Sequence, residues 1–302
     1  MAKKGLRFGI FVYLLPALTL YTLFMAYPLI MSLGMSLYEW KGYGPTTFVG
    51  LANFKKLLFL EPFSTRFFNA LTNNIKFFAY TTLFQNVVAL FLAVLLTKKL
   101  RGTEFYRTVY FMPVTLSVLI VGFIWTLILN PTWGVLNKGL EFIGLVSWAK
   151  PWLGDPNLAL PVIAFVNSWQ FIGLPIMMFV AGIRAIPEEL FEAARIDGCN
   201  EWQVFRNVTL PGLVPVIGLV MILTLVGNFS SFEIIYSMAG TLAGPNYATD
   251  VLGTLFYRTS FSSISGAPPS MGMGAAIAVF MFTIICAGVL SWFYIDSKIN
   301  NS

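Results

Sequence analysis

Hydrophobic and polar residues change along this chain in long blocks, not residue by residue. Six mainly apolar blocks run over about 9–36, 74–97, 108–129, 159–182, 211–236 and 271–295. A helix needs about 20 such residues to cross a bilayer. Charge is nearly absent inside them: Lys76 sits near one end of the second block and Glu233 lies in the fifth. In hydrocarbon every backbone N–H and C=O must be satisfied internally, so blocks of this length predict helices. The predicted fold is all-α and polytopic, one membrane domain over 1–302 with six transmembrane helices.

The polar blocks between them orient the chain. Lys3, Lys4, Arg7, Lys98, Lys99, Arg101, Arg107, Arg184, Arg195, Arg206 and Lys298 fall in short segments of one alternating set. The opposite set holds Lys41, Lys55, Lys56, Arg66, Lys138, Lys150 and Arg258, spread over longer segments. Cations concentrate on the inner face. Both termini and the segment after the fourth block are therefore expected in the cytoplasm. The first apolar run is longer than the roughly 7–15 residues of a secretory signal, which predicts a retained helix. On the outer side, 48–58 pairs apolar residues with Lys55 and Lys56 and predicts a short interfacial helix. Trp133, Trp148 and Trp152 suit the interface as well. Residues 237–270 are rich in Gly, Ser, Thr and Pro and predict a loop with one helix near 248–258.

Composition narrows the function classes. Only 11 % of the 302 residues are charged and 57 % are hydrophobic, against about 25 % charged in soluble domains. The net charge of +6 comes from cations flanking the spans, which points to membrane anchoring and not to nucleic acid. There is no histidine, which removes the commonest metal ligand and general base. The two cysteines, Cys199 in a polar segment and Cys286 in a span, do not suggest a disulfide.

One polar segment, 184–211, has its own helical grammar. Pro187 suits a first helical turn, and Glu188, Glu189 and Glu192 follow at its positive end. Gly198 is placed to stop that helix. Asn200 can cap a second one over 201–208, after which Pro211 opens the fifth span. With Asp197 these three make four acids, which anionic lipid would repel. A helix–Gly–helix hairpin facing water is built to meet a soluble partner. The spacing Glu192-Ala193-Ala194-x3-Gly198-x9-Val208-x-Leu210-Pro211 resembles the EAA signature of bacterial ABC importer permeases, with Val208 where Ile is usual. The run from Ala185 to Leu190, Asp197, Tyr27-Pro28, Phe48–Phe54, Tyr110–Pro113 and Asn167–Trp169 are similar to the carbohydrate branch, the maltose and glycerol-phosphate type. The resemblance implies the type I importer architecture in a bacterial or archaeal plasma membrane. It implies that Glu192, Ala193, Ala194, Asp197, Gly198, Leu210 and Pro211 couple this chain to a separate ATPase. It further implies a second homologous permease, two ATPase subunits that bind ATP and Mg, and an extracellular solute-binding protein. This chain would bind no cofactor, and its sequence contains no Gly-x4-Gly-Lys-Ser/Thr phosphate loop.

Two spans carry polar residues where a solute could pass. The fourth has Asn167, Ser168, Trp169 and Gln170, then Phe171 and Gly173; the fifth has Gly227, Asn228, Ser230, Ser231 and Glu233 with Phe229 and Phe232 between them. Amides and hydroxyls beside aromatic faces suit a neutral sugar. Polar side chains in spans also serve merely to join helices, the role expected for Gln85 and Asn86. The resemblance carries sugar contacts onto Asn167, Gln170, Phe171, Leu174, Gly227, Asn228 and Ser231. Ser231, Leu174 and Gly227 depart from the maltose type, which implies a different or wider cavity. Glu233 could bind a hydroxyl, pair with another subunit, or stand at the outer mouth. An ion- or proton-coupled secondary transporter is the competing class, but it usually needs intramembrane relays beyond a single Glu233. A membrane scaffold would need no polar clusters. The function expected is a non-enzymatic permease subunit for a sugar.

Overall fold

The computed structural model describes residues 13–40, 46–98, 102–261 and 268–300, without the side chains of 103, 104, 299 and 300. The start of the first expected span, and Lys3, Lys4, Arg7, Lys41, Lys99 and Arg101, lie outside the described residues. In chain order the helices are α1 (Tyr13–Met35), α2 (Ala52–Phe59), α3 (Phe63–Thr97), α4 (Thr103–Phe111), α5 (Val118–Ile128), α6 (Val135–Phe142), α7 (Ala159–Phe171), α8 (Gly173–Ala185), α9 (Glu188–Ile196), α10 (Glu201–Gly212), α11 (Val214–Phe229), α12 (Glu233–Ala239), α13 (Leu252–Phe261) and α14 (Met271–Asn300). A two-stranded antiparallel pair, β1 (Tyr38–Glu39) with β2 (Thr47–Phe48), lies between α1 and α2.

Among the described residues, α1, α3 and α14 are the helices long and apolar enough to cross a membrane alone. The other apolar blocks are bent pairs: α4 and α5 are joined by a 3-10 turn at Met112–Thr115 and bent by 99°, α7 and α8 by 54°, α10 and α11 by 66°. Counting each pair as one crossing gives up to six spans. Pro113 sits in the first of these breaks and Pro215 begins α11. Proline removes a ladder donor and crowds the preceding turn, so a helix breaks there at low cost.

The chain forms two compact units. The first comprises residues up to Phe67 together with Leu255–Phe282. Here Phe280 of α14 packs on Phe54 and Phe67, with ring centroids 5.5 and 4.9 Å away. Buried Asn53 donates to the carbonyls of Ser36 and Tyr38, both at 2.9 Å, and ties α2 to the end of α1. From Tyr13 to Met31 α1 buries no side chain. The second unit spans Phe68–Thr254 with the end of α14. One part of its core joins α5, α7 and α12 through Val121, Ile163, Val166, Ile234 and Ile235. Another joins α3, α8 and α11 through Ala89, Ala93, Ile176, Phe179 and Val220. Small residues set these distances. A Cβ on Gly173 would lie 2.5 Å from the Tyr110 carbonyl oxygen, and one on Gly218 would fall inside the Trp292 indole.

Four expectations change. The helix of the second block begins at Phe63, ahead of the apolar run expected from 74. Its first turns carry Asn69, Asn73 and Asn74, which lower the local hydropathy yet are used inside the protein. Their amide nitrogens donate to the carbonyls of Tyr247 (2.9 Å), Asp250 (3.0 Å) and Asn228 (3.1 Å), and Asn74 Oδ1 accepts from the Leu252 N–H at 2.7 Å. The helix expected near 248–258 starts at Leu252, because the preceding segment holds Ala243, Asn246 and Tyr247 at positive φ. The fifth block is not one helix. It bends at Leu213, stops at Phe229 and restarts at Glu233. On the outer side Phe48 pairs in β2 and the short helix spans Ala52–Phe59.

Candidate functional site

The interruptions of the second unit surround one cavity of about 470 Å³. Asn167 and Phe171 come from the end of α7, and Leu174, Pro175 and Met178 from the start of α8. Thr224, Gly227 and Asn228 come from the last turns of α11, and Ser230, Ser231 and Phe232 from the break that follows. Glu233 opens α12, where a carboxylate faces the positive end of a helix. Gln85 enters from a π-helical stretch of α3, Thr82–Val87. The lining contains amides, hydroxyls and one carboxylate beside apolar and aromatic surface, and no Lys or Arg.

The anticipated solute residues therefore separate. Asn167, Phe171, Leu174, Gly227, Asn228, Ser231 and Glu233 share this cavity. Gln170 does not: it is fully buried and its Nε2 donates to the Leu116 carbonyl at 3.0 Å, bracing the turn before α5. Ser168 turns back onto the Ala164 carbonyl at 2.7 Å, and Trp169 stacks edge-on with Trp125 at 5.6 Å. In α3, Asn86 joins helices as expected, donating to Thr224 Oγ1 at 3.0 Å. Gln85, expected in the same role, lines the cavity instead. One step along the π-helical stretch separates these neighbours in function, and nothing in the local sequence signals it. Asn228 is only 3 % exposed, and its Nδ2 has no hydrogen-bond partner among the described residues. A buried donor of this kind costs about 1–3 kcal/mol until something accepts from it. Its backbone carbonyl is held by Asn74, a residue that sequence reasoning passed over.

The 184–211 segment is a helical hairpin. Pro187 stands at the N-cap of α9, one position before the expected first turn, and Glu188 and Glu189 follow. At the far end the N–H of Gly198 reaches the Arg195 carbonyl (3.1 Å) and that of Cys199 the Ala194 carbonyl (3.0 Å). This is a Schellman closure, and it needs the left-handed backbone of Gly198, φ 77°. Asn200 then starts α10 with a reciprocal capping box. Its side chain accepts from the Gln203 N–H at 2.9 Å, and its own N–H donates to Gln203 Oε1 at 2.8 Å. The second helix does not stop at 208. It continues through a π-helical stretch to Leu210 and Pro211, and the bend into α11 comes only at buried Leu213. Lys98, at the end of α3, donates to Glu201 at 2.9 Å. That bond and the Lys98 charge hold the Glu201 carboxyl below its ordinary value of 4.5. Glu192, Ala193 and Asp197 are exposed, while Ala194 is buried. Leu190, Ile196 and Trp202 are also exposed, so the hairpin presents acids and apolar side chains together.

Residues 85–301, which contain both the cavity and the hairpin, match the family described as binding-protein-dependent transport system inner membrane component. The chain belongs to this family. The permease is accordingly a multi-pass protein of the inner membrane. A protein of Bacillus subtilis named "probable ABC transporter permease protein YurN" is 35 % identical to it over 92 % of either chain. Another from Thermoanaerobacterium thermosulfurigenes, named "probable starch degradation products transport system permease protein AmyD", is 33 % identical over 99 % of the permease and 98 % of that relative. Among solved structures, a chain of a bacterial alginate ABC transporter, in complex with its alginate pentasaccharide-bound periplasmic protein, superposes with a TM-score of 0.80. That pair is 25 % identical and the match covers 99 % of the permease and 97 % of that chain.

Proposed function

We propose that the permease forms half of the path by which an ATP-driven importer moves a sugar or oligosaccharide into the cell. The cavity is the observation that carries this. Its volume falls within the roughly 300–1,000 Å³ usual for small-molecule sites. It offers hydrogen-bonding groups without a cation, as hydroxyl-rich neutral solutes require, and a relative named for starch degradation products points to the same class. Both termini and the hairpin face the cytoplasm in this reading. The hairpin docks into a separate ATPase, with Glu192 making a polar contact and Gly198 setting the bend. A second permease completes the path, two ATPases bind ATP and Mg, and an extracellular solute-binding protein delivers the sugar. Because α10 runs unbroken from Glu201 to Gly212 before turning into α11, a shift of the ATPase is passed to the helix that carries Asn228 in its last turn. Rigid-body transmission of this kind needs a stiff lever. Closed vesicles holding the assembled complex test the reading. Sugar uptake is expected to require both ATP and the binding protein; uptake driven by a proton gradient alone would overturn it.

A further inference from the structure

The short helix α6 is amphipathic in the reverse of the usual sense. A surface helix ordinarily turns its apolar stripe toward its own core. In α6 the one buried residue is Asn137, 2 % exposed. It acts as a clasp: its Nδ2 donates to the carbonyls of Pro131 (3.2 Å) and Lys150 (3.0 Å), and its Oδ1 accepts from Trp152 Nε1 at 2.7 Å. Trp152, expected at the interface with Trp133 and Trp148, is thus held inside, where it packs with Leu153 on the core shared by α5, α7 and α12. The apolar residues of α6 and of the turn after it face outward instead. Val135, Leu136, Phe142, Ile143, Val146 and Trp148 are all exposed, Phe142 to 92 %. Lys138 and Glu141 pair with each other at 2.8 Å. At about 3.6 residues per turn they fall on the flank, between the Asn137 side and the side that carries Val135 and Phe142. The outward surface is locked in place. Gly144 closes α6 at φ 81° with its N–H on the Glu141 carbonyl at 3.0 Å, and the Leu145 N–H reaches the Leu140 carbonyl at 2.8 Å, a Schellman closure.

We propose that α6 and its turn are an interfacial membrane anchor, with these outward side chains among the acyl chains of the leaflet at which α5 ends. The position supports this. The span half α5 exposes Leu119, Ile120, Phe123 and Ile124, and residues 129–134 alone separate its end from Val135. A helix tethered so closely to a span is delivered to the edge of the same bilayer. Trp133 is exposed too, so an indole stands at either end of the apolar run, as suits the boundary between headgroups and hydrocarbon. The Lys138–Glu141 pair cancels its own charge, which leaves apolar burial as the driving force. A soluble partner is the other class of occupant, but the bilayer is already present where α5 ends. The inference concerns the membrane alone and does not rest on the transport reading.

The full chain, carrying Cys199→Ser and Cys286→Ser, is reconstituted in phosphatidylcholine nanodiscs. An environment-sensitive fluorophore is attached at Phe142→Cys, at Ile143→Cys or, as a control at an exposed polar position, at Asn157→Cys. Quenching is read with a nitroxide on the lipid acyl chain and with iodide in the water. At Phe142 and Ile143 the acyl-chain nitroxide is expected to quench strongly, and iodide about fivefold less than at Asn157, as for side chains roughly 5–10 Å into the headgroup and acyl boundary. Equal access of iodide to all three positions overturns the proposal. So does protection that appears only with co-expressed importer subunits present and without acyl-chain quenching, which assigns the patch to a protein partner. Both label sites are exposed, so thermal melting is expected to match the parent; should one label disturb the fold, the other carries the test.

Discussion

Asn228 and Asn74 are both buried amides joined through one carbonyl, yet their energetics are opposite. Asn74 satisfies two partners, whereas the Asn228 Nδ2 satisfies none among the described residues. Replacing Asn74 by Leu is expected to destabilise the permease by about 1–3 kcal/mol, since the buried Leu252 N–H loses its partner and the Asn228 carbonyl keeps only the Ser231 N–H. Replacing Asn228 by Leu is expected to leave thermal stability unchanged or raise it, and to lower sugar uptake at least tenfold. Detergent-phase melting beside vesicle uptake separates the two; a matching loss of stability at both positions would make Asn228 a structural residue. Glycines divide in the same manner. Gly173→Ala drives a Cβ against the Tyr110 backbone and is expected to cost about 1–3 kcal/mol. Gly227 has open space around it and lines the cavity. Gly227→Ala is expected to keep or improve stability while narrowing the range of sugars carried, a change read by competition for uptake.

At the scale of elements, the hairpin depends on its two ends. Gly198→Ala places a side chain in a left-handed conformation, at a cost of about 1–2 kcal/mol, and Asn200→Ala removes a cap worth about 1 kcal/mol. Both are expected to speed hydrogen exchange in α9 and α10 selectively, with protection in α3 and α8 preserved. The Lys98–Glu201 pair moors this hairpin to α3. The Glu201 carboxyl is held below 4.5 by that partner, so its contribution is complete above pH 4.5 and disappears as the pH drops through the lowered value. Lys98→Met is expected to return the Glu201 titration to the ordinary range, as followed by carbon NMR of labelled glutamate. Glu201 is fully exposed, so the pair is also expected to weaken with salt.

For the whole molecule, the decisive property is the connection between hairpin and cavity. Glu192→Lys reverses a charge on an exposed helix that makes no ion pair among the described residues. It is expected to leave folding intact while uncoupling uptake from ATP hydrolysis or releasing the ATPase, as checked by co-purification and vesicle transport. Retained ATPase association with normal uptake would count against docking through this residue. The long α1 leaves its side chains from Tyr13 to Met31 uncovered, as expected of a helix that meets lipid or another subunit and adds little to its own chain's core.

Much of this was legible in the residues alone. Block-wise hydropathy located the apolar segments because a bilayer demands length and apolarity, which are properties of composition. The hairpin was legible because Asn200 and Gly198 act through local backbone bonds that tertiary packing need not supply. The amide and hydroxyl clusters were visible as chemistry out of place in hydrocarbon. Tertiary structure alone decided which of them meet. Asn167 and Gln170 lie three residues apart on α7, yet one reaches the cavity and the other braces the turn before α5. Gln85 and Asn86 diverge across a π-helical stretch. The polar start of α3 became helix because Asn69, Asn73 and Asn74 found backbone carbonyls more than 150 residues away along the chain. Hydropathy sums residues one by one, whereas the cost of burying an amide depends on whether a distant partner arrives to meet it.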